Sequence, residues 1–112
     1  IYGDGEQSRD FTYIDNVVQA NLLACLAQRA SGKIFNIACA GQMTLNKLCG
    51  SIAEIMDVDC RPNYMATRPG DIKHSFAGIN RAEEDLGYQP TVSVSDGLKK
   101  TVAWYQAQKA TV

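Results

Sequence analysis

A mixed α and β lobe, with long helices packed on short strands and about four helices in all, is the fold class this 112-residue sequence predicts. Three observations carry it. Short runs suited to extended structure alternate with helix-forming segments along the whole chain, with no clear internal repeat. The helical segments open on residues that cap helices: Asp15, Thr44, Asn80 and Ser93. In the second of them Leu45, Leu48, Cys49, Ile52, Ile55 and Met56 recur at i, i+3, i+4, i+7, i+10 and i+11, so that helix has a single apolar face.

The chain opens on Ile1 and Tyr2, read as the end of a strand that stops at the turn GDG, residues 3–5. Residues 7–16, QSRDFTYIDN, follow as an extended run. Alternation puts Arg9, Phe11 and Tyr13 on one face and Asp10, Thr12 and Ile14 on the other. A guanidinium thus shares a face with two aromatic rings, where it is costly to bury without a partner. Asp15 is the expected N-cap of a helix over 17–27. Along it Val18, Leu22 and Cys25 form one stripe and Ala20, Leu23 and Ala27 another, which makes the helix apolar on nearly every side. Such helices are normally buried all round, and a small domain has too little interior to enclose one. Together with a first residue other than methionine, this predicts a piece of a longer protein whose partner domain covers helix 17–27.

Further along, KIFNIA (33–38) reads as a short strand and CAGQM (39–43) as a turn leading to the helix that Thr44 opens. RPNYMA (61–66) reads as extended. In RPGD, residues 68–71, proline second and glycine third favour a type II turn, which brings Arg68 and Asp71 within ~7 Å at their Cα atoms. A cation and a carboxylate are presented together. They form either a surface ion pair worth about 0–1 kcal/mol or a clamp, guanidinium on a phosphate and carboxylate on a sugar hydroxyl. Asn80 with Glu83 resembles a capping box opening a short helix that Gly87 closes. Ser93 with Asp96 opens the last helix, whose Val94, Leu98, Thr101, Val102 and Tyr105 share a face.

Composition narrows the function. With 46% hydrophobic and 21% charged residues the chain suits one small soluble domain and not a disordered tail. A net charge of -1 provides no field that would gather nucleic acid or an anionic membrane, so any anion site must be local. No apolar run approaches the ~20 residues of a transmembrane helix and no secretory pattern stands at the start, which predicts a cytoplasmic protein. Cys25, Cys39, Cys49 and Cys60 lie at wide spacings without C-x-x-C; buried reduced thiols are expected, and no metal site. His74, the only histidine, is assigned a structural or solvent role, and Tyr64, Tyr88 and Trp104 are expected in the core or in lobe packing.

Four stretches, GDGEQSRDFTYIDNVVQANLLA, FNIACAGQMTLNKL, RPGDIKHSFAGINRAEEDLGYQP and DGLKKTVAWY, cover nearly the whole chain. In that order they resemble the C-terminal part of the extended short-chain dehydrogenase/reductases. The likeness is to the NAD-dependent nucleotide-sugar epimerases and dehydratases, and within them to bacterial UDP-N-acetylglucosamine and UDP-glucose 4-epimerases of polysaccharide biosynthesis. The resemblance implies that Arg9 and Arg68 hold the nucleotide diphosphate of a UDP-sugar and that Asp71 bonds the ribose hydroxyls, with Phe11 and Leu45 lining the nucleotide pocket. It implies a parent enzyme that oxidises C4 of the hexose to a keto intermediate on NAD and returns the hydride to the other face. Without a carboxylate neighbour on its own face, Arg9 would need a partner from elsewhere; Asp10 is expected to brace nearby backbone instead.

The sequence also departs from the family pattern, though not at the clamp residues: Ala38-Cys39-Ala40-Gly41 replaces a glycine-rich turn, Lys47 stands where an acid commonly answers Thr44, and Gly78 replaces a common aspartate. The resemblance also says what lies elsewhere. The Rossmann glycine fingerprint is absent, since GDG lacks its remaining residues. The Tyr-x-x-x-Lys pair that would take the 4-hydroxyl proton belongs upstream, so YQAQK (105–109) is rejected as a chance match. The chain is therefore expected to have no catalytic residues, to bind no NAD alone, and to depend on an N-terminal Rossmann domain. Helix 17–27 is also the surface through which copies would associate. Two alternatives stand beside the epimerase lobe: a lobe of a nucleotide-sugar 4,6-dehydratase, and a stand-alone nucleotide-sugar-binding or interaction module.

Overall fold

The computed structural model describes residues 1–109, with side chains described through residue 108. Its elements run β1 (Ser8–Arg9), α1 (Ile14–Leu26), β2 (Met43–Thr44), α2 (Leu45–Met56), α3 (Asn80–Leu86) and α4 (Val94–Lys109). The expected mixed class with four helices is what the chain adopts. β1 and β2 pair antiparallel, Ser8 opposite Thr44 and Arg9 opposite Met43. α1 packs on α3, and α2 packs on α4.

The core lies between α1 and α3, where Ala20, Ala38, Ile79, Ala82, Leu86 and Tyr88 are buried together against Leu23, Phe35 and Ile37. The buried Tyr88 and Asn16 side chains are hydrogen-bonded, which a low-dielectric interior requires. Tyr88 donates its hydroxyl to the Ala38 carbonyl at 2.9 Å. Its burial pushes the phenol above its ordinary pKa, with a smaller contribution from Cys39 and Asp10. Asn16, fully buried near the start of α1, accepts from the backbone N–H groups of Thr91 and Val92 at 3.0 Å each and donates to the Val92 carbonyl at 2.9 Å. Asp10 does brace backbone, accepting from Cys39 N at 3.0 Å and Gly41 N at 3.3 Å.

Several local expectations change. The extended run from residue 7 ends as a ladder at Arg9, because Asp10 turns its carboxylate to the 39–41 backbone and no partner strand continues past Met43. Arg9, Phe11 and Tyr13 consequently do not share a strand face. Asp15 does not cap α1. The helix begins at Ile14 with Tyr13 beside it and no side-chain cap, while Asp15 in the first turn pairs with Lys100 at 3.1 Å. The Asn16 bonds to residues 91 and 92 hold this helix start in place of a cap.

Residues 33–38 form no strand, since nothing among the described residues offers them a ladder. Phe35, Ile37 and Ala38 enter the core instead, and Lys33 reaches Asp85 on α3 at 2.8 Å. Asn80 is the first residue of α3 rather than its cap; buried Ile79 stands before it and accepts Glu83 N at 3.0 Å. The remaining helix signals hold. Thr44 Oγ1 accepts Lys47 N at 3.2 Å, Ser93 Oγ accepts Asp96 N at 3.1 Å, and Gly87 closes α3 in the left-handed region at φ 68°.

α1 shows which of its stripes the lobe can cover. Ala20 is 2% exposed and Leu23 packs on the core, whereas Val18, Leu22 and Cys25 face outward with Ile14 and Leu26, the last 83% exposed. The same outward stripe corrects the cysteine expectation: all four are free thiols, but none is buried, Cys25 and Cys60 being exposed and Cys39 and Cys49 half-buried. Of the aromatics only Tyr88 is core. Tyr64 and Trp104 are exposed, Tyr64 bonding Asn46 Oδ1 at 2.9 Å and Trp104 set edge-on to Tyr105 at 4.9 Å between centroids.

Candidate functional site

The segment 73–75 runs parallel beside β1 and carries the RPGD turn to Arg9. Ser8 N donates to the Lys73 carbonyl at 2.8 Å, Ser75 N donates to the Ser8 carbonyl at 3.1 Å, and buried Ser8 bonds His74 Nδ1 through its hydroxyl at 2.8 Å. His74 therefore has the structural role expected of it. The turn itself forms as type II geometry requires, with Asp71 N donating to the Arg68 carbonyl at 3.3 Å and Gly70 at φ 81°, a left-handed value that suits glycine.

This placement brings Arg9 and Asp71, 62 residues apart in sequence, to 2.8 Å between Nη2 and Oδ1. Arg9 also donates through Nη1 to the carbonyls of Ser8 at 2.8 Å and Lys73 at 3.3 Å, so its guanidinium is held on three sides. Arg68 takes a different partner: its guanidinium lies 3.7 Å from the centre of the Tyr2 ring, a cation–π contact. Tyr2 is in turn anchored by Gln7, whose Nε2 donates to its carbonyl at 2.6 Å.

Two open cavities adjoin these groups and share Tyr2, Gln7 and Asp71. One, of about 380 Å³, is lined by Leu45, Arg68 and Gly70 as well; the other, of about 570 Å³, by Asp4, Met65, Thr67 and Lys73. Leu45, at the head of α2, thus lines one cavity with Arg68 and Asp71. Phe11 does not. It lines a separate groove with Leu48, Val94 and Leu98.

The head of α2 is tied to the site through Asn46. Its backbone N–H donates to the Gly5 carbonyl at 3.0 Å, its Nδ2 donates to the Asp4 carbonyl at 3.0 Å, and a Cβ at Gly5 would come within 1.9 Å of its Oδ1. In the GDG turn, the Glu6 backbone N–H donates to Asp4 at 3.0 Å and holds its carboxyl below the usual carboxylate range. Tyr2, Gln7 and Asn46 were invisible to periodicity and capping rules, because each acts through contacts with residues distant in sequence or through its own backbone.

The arrangement can bind an anion while remaining adaptable. The Arg9–Asp71 pair is about one third exposed on each side and is worth about 0–1 kcal/mol. A charge-assisted bond from a guanidinium to a phosphate contributes about 1.5–3 kcal/mol. The Arg9–Asp71 bond is itself charge-assisted, so a phosphate would offer this guanidinium an acceptor of the same kind. The GDG turn is tied to the head of α2 through Asn46 and leads into β1. Tyr105 is exposed on α4, and the Lys109 side chain lies outside the described residues. Among the described residues no cluster of His, Cys, Asp or Glu is placed to hold a metal ion, and no helix is long and apolar enough to cross a membrane.

The family model described as GDP-mannose 4,6 dehydratase matches residues 1–101, and the chain belongs to that family. Among curated relatives, the UDP-glucose 4-epimerase of Mycolicibacterium smegmatis is 32% identical over 95% of this chain and 34% of its own length. Among solved structures, the UDP-glucose 4-epimerase of Thermotoga maritima with UDP-glucose superposes with a TM-score of 0.90 at 40% identity, over 96% of this chain and 34% of that one. The UDP-glucuronic acid 4-epimerase of Bacillus cereus, in complex with UDP-glucuronic acid and NAD, gives 0.89 at 32% identity over 96% of this chain and 35% of that one. The chain spans about a third of the length of these relatives.

Proposed function

We propose that this chain is the nucleotide-sugar-binding lobe of an NAD-dependent UDP-hexose 4-epimerase that acts through a 4-keto intermediate. The observation that carries the reading is that Arg68 and Asp71 line contiguous cavities while Arg9, 62 residues before Asp71 in the chain, is bonded to its carboxylate at 2.8 Å. Arg9 and Arg68 take the diphosphate, Asp71 exchanges Arg9 for the ribose hydroxyls, and Leu45 lines the nucleotide pocket. Phe11 contributes by packing beside Leu48 in the neighbouring groove. NAD and the acid–base pair are assigned to a Rossmann domain outside these residues, and the outward stripe of α1 to the contact with it. Four free thiols agree with a cytoplasmic setting.

UDP affinity in the intact protein tests the reading, with NAD affinity as a control. Arg9→Ala and Arg68→Ala should each weaken UDP binding roughly tenfold to a hundredfold, the equivalent of ~1.5–3 kcal/mol. The double variant should depart from additivity if both touch one phosphate group. Lysine at either position restores charge without the planar fork and should remain impaired. Unchanged UDP affinity in a single variant with intact circular dichroism would return that arginine to a surface ion pair or ring contact.

The isolated lobe should be catalytically inactive and should show no saturable NAD binding by calorimetry. Its exposed α1 stripe of Ile14, Val18, Leu22 and Leu26 should make it self-associate. A monodisperse monomer at high concentration in light scattering would remove α1 as the docking face.

A further inference from the structure

Cys49 and Cys60 lie outside the nucleotide cavities and have no part in the proposed binding. The Cys60 thiol donates to Cys49 Sγ at 2.8 Å, a direct sulfur–sulfur contact between two free cysteines. The chain is folded so as to produce it. α2 continues for seven residues beyond Cys49 to Met56, a rise of about 10 Å. Asp57 then adopts the left-handed region at φ 54°, donating its N–H to the carbonyls of Ala53 and Glu54, and reverses the chain. Three further residues can span up to about 10 Å, enough to bring Cys60 back to Cys49.

The contact has consequences beyond α2. From Cys60 the chain runs directly to the wall of the larger cavity, where Met65 N donates to the Ile1 carbonyl at 2.7 Å and Gly3 N to the Met65 carbonyl at 2.8 Å. Beside the thiol contact, the Tyr64–Asn46 side-chain hydrogen bond ties this returning segment to α2, and that bond is exposed. The other two cysteines are differently engaged: Cys25 faces outward on α1, and Cys39 accepts from Asn16 Nδ2 at 3.4 Å in the core half of the molecule.

The geometry points to a reversible disulfide site, Cys49–Cys60, that fastens the returning segment and the cavity wall it leads into onto α2. The oxidant is a small-molecule disulfide such as oxidised glutathione. The exposed Cys60, as thiolate, attacks one sulfur of that disulfide, forms a mixed disulfide and releases one thiol. Cys49, already in contact, then attacks Cys60 Sγ and expels the second thiol. Two cysteine thiols are oxidised, one disulfide is reduced to two thiols, and the two cysteine protons end on the two released thiols. The hydrogen bond to Cys49 raises the Cys60 thiol above its ordinary pKa, so the first attack proceeds through a small thiolate fraction and quickens as pH rises. A disulfide of this regulatory kind is the sort found where the surroundings are otherwise reducing.

The test equilibrates the intact, native protein with glutathione buffers of graded oxidation, traps free thiols and maps peptides by mass spectrometry. The expected product is a Cys49–Cys60 disulfide that reverses on reduction and forms equally in a Cys25→Ser/Cys39→Ser variant. Hydrogen exchange across residues 60–67 should slow by about tenfold on oxidation. In Cys49→Ser, Cys60 should instead accumulate as a stable mixed disulfide with glutathione. Persistent glutathione adducts on Cys60 in the unaltered protein, pairing of either cysteine with Cys25 or Cys39, or exchange across 60–67 that does not respond to oxidation would each overturn the assignment.

Discussion

The core around Tyr88 and the cavity around Asp71 are both assembled from residues far apart in the chain, yet they treat polar groups in opposite ways. Around Tyr88 and Asn16 the buried side chains bond mainly to backbone, with one further bond from Asn16 to the Cys39 sulfur. Around Asp71 the same kinds of group are about a third exposed, and one of the two arginines is parked on an aromatic ring. A buried polar group left without its partner loses about 1–3 kcal/mol, whereas an exposed ion pair holds its partners by about 0–1 kcal/mol. The first arrangement fixes one conformation. The second leaves the guanidiniums free to change partners, which is what binding a phosphate requires.

The contrast can be broken most sharply at Asn16. Asn16→Ala strands the Thr91 and Val92 N–H groups and the Val92 carbonyl, so it should lower unfolding free energy by about 3 kcal/mol, read by chemical denaturation. UDP affinity of the folded fraction should be unchanged. If stability holds, the buried network is not what fixes the start of α1. Arg68→Ala should do the reverse, costing ~1.5–3 kcal/mol of UDP binding while moving stability by no more than about 0.5 kcal/mol.

Gly5→Ala falls between the two. The left-handed φ of 76° and the Asn46 Oδ1 contact should together cost about 1–2 kcal/mol in stability and loosen the head of α2. Thermal unfolding that matches the unsubstituted protein would show that the turn is not seated on α2 as described. Acid should have the smallest effect. The Lys33 hydrogen bond, outweighing some desolvation, holds Asp85 below the ordinary carboxylate range. A carboxylate that is harder to protonate when folded stabilises the protein above its unfolded value of about 3.9, and that contribution is lost as pH falls through the lower folded value. Lys33→Met should flatten the stability profile in that window; an unchanged acid limb would remove the Lys33–Asp85 pair as its source.

Legibility followed the range of the interactions. The α2 face, the Thr44 and Ser93 caps, the Gly87 stop and the RPGD turn all depend on residues within a few positions of one another, and all formed as expected. The errors share one cause. Asp15 and Asn80 are good caps by type, but the contacts of Asn16 and Ile79 with distant segments placed their helix boundaries elsewhere. Residues 33–38 have strand-forming composition, but a strand also needs a neighbour, and here the apolar residues went to a helix-lined core. Arg9, Arg68 and Asp71 were singled out from motif and resemblance, whereas Tyr2, Gln7 and Asn46 beside them were not.

The sequence by itself determined the mixed class, the order of the helices and the presence of two guanidiniums and a carboxylate near turns, because periodicity, turn chemistry and side-chain charge are properties of local segments. Only the tertiary structure decided that Arg9 would pair with Asp71, that Arg68 would lie on Tyr2, that one stripe of α1 would stay exposed, and that Cys60 would return to Cys49. Each of those outcomes joins segments whose separation in the chain carries no record of their distance in space, and each is settled by which backbone groups find partners when the helices pack.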